Sequence, residues 1–100
     1  MDMINPTAMN TINLKALATK ISIACPVLID FVSEQTITLK GKTLPYRLYM
    51  KFESNLPLLQ VDLYDCDLKS EIRREVDSIL KIYHSYIVES IQISYLNLTY

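Results

Sequence analysis

From Leu14 a helical spacing of apolar residues runs through Leu14, Leu17, Ala18, Ile21, Ala24, Cys25, Leu28, Phe31 and Val32. Steps of three and four lay one stripe along a helix. The spacing predicts a helix from about Thr11 to Val32, with Asn10 or Thr11 able to cap its start. Pro26 stands inside that span, where it deletes a backbone hydrogen bond and clashes with the carbonyl one turn back, at a cost of about 3 kcal/mol. A second helix beginning at Pro26 would avoid that cost. Because the stripe keeps its phase across the proline, a kink is expected instead. Residues 1–10, MDMINPTAMN, have no period and read as a loose tail.

From Thr36 the period drops to two. Thr36-Ile37-Thr38-Leu39 alternates, a turn is expected at Gly41, and Leu44, Tyr46, Leu48, Met50 and Phe52 then alternate with Pro45, Arg47, Tyr49, Lys51 and Glu53. That is the pattern of a half-buried strand, and Pro45 near its beginning suggests that this end lies at a sheet edge. After a break at Ser54-Asn55-Leu56-Pro57, Leu59, Val61 and Leu63 form a third strand. Asp67 is read as the cap of a long helix, with Glu71 at its positive end. Leu68, Ile72, Val76, Ile79, Leu80, Tyr83, Ile87 and Ile91 line one face of that helix. Arg73–Asp77 and Asp77–Lys81 are helix-spaced ion pairs on its wet side. Near Ser90–Gln92 the period returns to two, and Ile93 to Tyr100 reads as a last strand.

The fold class is therefore α+β in the order α-β-β-β-α-β. An antiparallel three-stranded meander carries two helices on one face, and a C-terminal strand joins an edge parallel to its neighbour. The whole is a single domain over residues 11–100 behind a tail at 1–10. The layout is similar to that of the double-stranded-RNA-binding domain. That family enters its second helix through a basic, glycine-containing stretch, whereas this chain has Asp65-Cys66-Asp67-Leu68-Lys69-Ser70-Glu71 there. Acid stands where phosphate would, so the topology is shared without the chemistry.

Composition removes most enzyme classes. The chain has one glycine in 100 residues, and a hairpin needing positive φ accounts for it at Gly41. None remains for a phosphate-cradling loop, a dinucleotide fingerprint or a nucleophile elbow. Half the residues are apolar and the net charge is −1, which argues for a packed core and against a long-range pull toward phosphate polymers. Cys25 and Cys66 belong to no metal-spaced set and are expected as buried thiols of a reducing cytoplasm. The apolar stretch before Cys25 is too short for a signal peptide, and no run approaches a membrane span.

Four constellations are candidates for function. Asp62, Asp65 and Asp67, with Glu71, crowd a strand-to-helix junction and could hold a divalent cation for a hydrolase or nuclease; each also has an ordinary structural role. Arg47 and Lys51, with Lys40 and Lys42 and interleaved with Tyr49 and Tyr64, could share a sheet face suited to single-stranded nucleic acid. Neutral net charge makes nucleic acid an unlikely partner. His84 could pair with Cys66 as a nucleophile, though nothing like an oxyanion loop accompanies them. Ile82 and Tyr86 widen the apolar stripe of the long helix, and with Tyr49 and Tyr64 they are read as interface residues of a homodimer. The first helix covering that flank is the competing explanation. No catalytic residue and no cofactor is identified. The expected function is contact: a cytoplasmic protein-binding module such as an adaptor, an inhibitor or a chaperone-like partner, not an enzyme.

Overall fold

The computed structural model describes residues 13–52, 57–87 and 91–97, the side chains of Cys66 and Asn97 excepted. The reading of residues 1–10 as a tail lies outside them, as do the caps proposed at Asn10 and Thr11. Helix α1 spans Leu14–Ala24, and Asn13 caps it by accepting a hydrogen bond from the Ala16 amide at 3.2 Å. The helix stops where Pro26 acts on its neighbour. A residue preceding proline is pushed out of the helical region, and Cys25 accordingly has φ −129° and ψ 155°.

Beyond Pro26 the chain does not resume a kinked helix; it becomes strand β1, Val27–Val32. This corrects the reading of 11–32 as one helix. The segment VLIDFV is rich in β-branched and aromatic residues, and pairing with the next strand satisfies its backbone along one side. Strands β2 (Thr36–Gly41), β3 (Tyr46–Lys51) and β4 (Leu58–Leu63) follow, and all three neighbouring pairs from β1 to β4 are antiparallel. A 3₁₀ turn at Cys66–Leu68 leads into α2, Lys69–Tyr86, and β5, Gln92–Asn97, then pairs parallel to β4. The order is α-β-β-β-β-α-β, an α+β fold with a five-stranded sheet ordered β1-β2-β3-β4-β5.

One core lies between the sheet and the helices. Leu17, Ala18 and Ile21 of α1 and Ile72, Val76, Ile79 and Tyr83 of α2 pack with Leu39, Leu48, Met50, Leu59 and Val61 of the sheet. The two helices therefore share one face. Fully burying each aliphatic side chain of this set contributes about 1.5–3 kcal/mol. The alternation of β3 is clean, with Tyr46, Leu48 and Met50 inside and Arg47, Tyr49 and Lys51 half-buried on the far side.

Gly41 ends β2 for a different reason than the turn reading gave. No glycine among the described residues has positive φ. The constraint is space: a Cβ built at Gly41 would collide with the Leu44 carbonyl oxygen and lie 2.6–2.7 Å from the Tyr46 ring. The entry to α2 is also capped differently. The Asp65 carboxylate accepts from the Asp67 amide at 2.9 Å, and Leu68 precedes the helix without a side-chain cap. Glu71 does stand in the first turn.

Candidate functional site

The sheet face opposite the helices carries no second layer among the described residues, and the strand register places its side chains in rows. Across all five strands one row reads Leu28, Lys40, Arg47, Asp62, Leu96. The next reads Phe31, Thr38, Tyr49, Gln60, Ser94. A third, without β1, reads Thr36, Lys51, Leu58, Gln92. Tyr64, just past β4, continues the alternation and is exposed.

The β1 end of this face owes its character to a bulge. Leu28 pairs with Lys40 and Phe31 pairs with Thr38, and the register shifts between Ile29 and Phe31. In a regular strand, positions 28 and 31 would face opposite sides. The extra residue turns both onto the uncovered face, where Leu28 is 49% exposed and Phe31 59%. Ile29 pairs with Leu39 of the core side, yet is 41% exposed because β1 is an edge strand. Large apolar side chains left open on both sides of an edge strand are what natural sheets usually avoid.

Polar groups in the middle of the face are tied together. The Arg47 guanidinium lies 3.5 Å from the Asp30 carboxylate. Hydrogen bonding with Tyr49, then the charge of Asp30, pushes the Arg47 pKa up. The Gln60 side-chain amide donates to Asp62 at 3.1 Å, and Thr38 and Asp62 are 8% and 7% exposed although no helix among the described residues covers them.

Beside β1, on the helix side, a groove of about 430 Å³ is lined by Lys15 and Thr19 of α1 and by Ile29, Asp30, Phe31 and Val32. The buried stripe of α1 is Leu14, Leu17, Ala18 and Ile21, so Lys15 and Thr19 belong to the flank overhanging the sheet edge. The opposite flank faces α2, where the Lys20 ammonium sits 5.4 Å from the centre of the Tyr86 ring.

The sequence candidates separate accordingly. Lys40, Arg47, Lys51, Tyr49 and Tyr64 do share one face, with Lys42 exposed in the turn beyond β2. Ile82 and Tyr86 are half-buried and pack against the core, Tyr86 beneath Lys20. The dimer expectation through these two residues therefore rests on the part of each that stays exposed. Asp62 lies on the sheet face, Asp65 holds the turn and Asp67 is exposed. Among the described residues no three His, Cys, Asp or Glu side chains gather to hold a metal ion. His84 is exposed and meets the Tyr83 ring edge-on at 5.0 Å; its pairing with Cys66 lies outside the described side chains. Cys25 is a buried free thiol, its pKa raised by burial first and by nearby Glu75 second. No helix among the described residues is long and apolar enough to cross a membrane.

Leu28 and Phe31 fall on the helical stripe read from sequence, and Ile29 lies within the same expected helix. The signal that could have found them is the composition of 27–32, three β-branched residues and a phenylalanine immediately after a proline. None of the family models, curated proteins or solved structures compared with the chain matches it.

Proposed function

We propose that the chain is a protein-binding module whose contact surface is the uncovered sheet face at its β1 border. The observation that carries this reading is the bulge that brings Leu28 and Phe31, both about half exposed, side by side, with Tyr49 beyond Thr38 in the row of Phe31. An apolar patch rimmed by polar groups marks an interaction site more often than chance exposure does. Adaptor, inhibitor and chaperone-like roles all use such a surface, and a cytoplasmic setting suits the free thiol of Cys25. The test is affinity capture from the native cells with wild type, Leu28→Asp, Phe31→Asp and, as a control on exposed α2, Lys81→Glu. Partners retained by wild type and Lys81→Glu but lost from both β1 variants support the reading. Identical partner sets for all four refute it.

A second reading is supported by Lys40, Arg47 and Lys51 sharing that face with Tyr49. Single-stranded nucleic acid would then bind with an affinity falling steeply with salt. Asp30 and Asp62 both lie beside Arg47 and bring two negative charges to the face, which ranks this reading second. Absence of any retardation at low salt ends it.

A further inference from the structure

We infer that the partner is an extended segment that adds as a sixth strand along the free edge of β1. Its side chains would alternate, apolar ones toward the open sheet face and acidic ones toward α1. This rests on the protein-binding reading above and specifies the occupant of that site. Three features of the β1 border combine. Among the described residues no strand pairs with the outer side of β1, and such an edge is the usual basis of strand addition. A strand laid there would present alternate side chains to the two sides of the sheet. On one side they meet Leu28 and Phe31, which are apolar and exposed. On the other they enter the 430 Å³ groove under Lys15 and Thr19.

Charge sets the second half of the pattern. Lys15 stands in the first turn of α1, which contains no acidic residue, so the positive end of the helix dipole adds to its charge. Among the described residues that line the groove the one carboxylate is Asp30, which already faces Arg47 at 3.5 Å. A segment with carboxylates on its α1 side therefore finds a cation that no described carboxylate pairs with. A segment with lysines there does not. The bulge at Asp30 restricts the ladder to the stretches before and after it, so a short segment suffices. The alternative occupant, β1 of a second copy, has Asp30 as its single carboxylate, and that group already faces Arg47, so it offers no acidic row toward α1.

The experiment is an ¹⁵N-edited NMR titration of the full chain with a blocked hexapeptide alternating valine and glutamate. The same peptide with lysine in place of glutamate is the control. The acidic probe is expected to shift the amides of 28–32 and of Lys15 and Thr19, and to bind about five- to tenfold tighter than the basic one. Lys15→Glu, at an exposed position, should abolish or invert that ratio. No shifts at millimolar probe, shifts centred away from β1, or equal affinity for both peptides would overturn the inference. So would β1 shifts produced by dilution alone, which would make a second copy the occupant. If the capture experiment succeeds while the titration fails, the binding surface stands and the strand-addition mode falls.

Discussion

Tyr46 gives the sharpest quantitative test of the packing. Its side chain is fully buried beneath the Gly41 end of β2, and its hydroxyl donates to the Glu75 carboxylate of α2 at 2.6 Å. This hydrogen bond ties the sheet to the helix across the core. Tyr46→Phe keeps the ring and removes only the donor. A hydrogen bond to a charged acceptor contributes about 1.5–3 kcal/mol, and half-buried Glu75 can recover part of that from water. A loss of about 1–2 kcal/mol at pH 7 is therefore expected by urea denaturation. The second signature is alkaline. Burial, then the hydrogen bond and the negative charge of Glu75, raise the Tyr46 pKa far above its ordinary value. Folding thus favours the protonated phenol, and that stability is complete below the unfolded pKa of about 10. Above it the unfolded chain loses this proton while the native chain keeps it, so stability falls by about 1.4 kcal/mol per pH unit. The raised Cys25 pKa acts in the same direction, with its loss beginning near the ordinary thiol value. Tyr46→Phe should flatten the slope above pH 10 and leave the Cys25 component. An unchanged slope, or a variant as stable as wild type at pH 7, would refute the argument.

Gly41→Ala should destabilise by about 1–3 kcal/mol in the same assay, since overpacking against the Leu44 carbonyl and the Tyr46 ring forces the hairpin to shift. Pro26→Ala removes the residue that stops α1, yet β1 is held by its ladder to β2. Far-UV circular dichroism should show no gain of helix, and a gain of several residues would mean that the proline alone dictates the strand. Ile82→Glu with Tyr86→Glu should lower the thermal midpoint and not merely dissociate a dimer, because both side chains are half-buried against the core of their own chain. Light scattering that shows a folded monomer replacing a dimer would return these residues to an intermolecular interface.

Several elements were legible in the pattern of residues because one face of each is buried and the other wet. Strand β3 alternates Tyr46, Leu48 and Met50 against Arg47, Tyr49 and Lys51, and α2 repeats Ile72, Val76, Ile79 and Tyr83 at helical steps. Such periods follow from local geometry and a single core, so the meander, the long helix, the parallel last strand and the shared helix face could be derived before any contact was known. The face shared by Lys40, Arg47 and Lys51 followed from the same alternation. Strand β1 was not legible. At an edge, Leu28, Ile29 and Phe31 all remain exposed, so burial imposes no alternation on them. The spacing of Cys25, Leu28, Phe31 and Val32 fits a helix equally well, and only the ladder from Val27–Gly41 to Val32–Ile37 decides for a strand. The bulge at Asp30, the approach of the Tyr46 ring to Gly41 and the hydrogen bond from Tyr46 to Glu75 join residues distant in sequence or set by register. Local propensity carries no information about which strand or ring will lie alongside, so these features, and the docking surface built on them, belong to the tertiary structure alone.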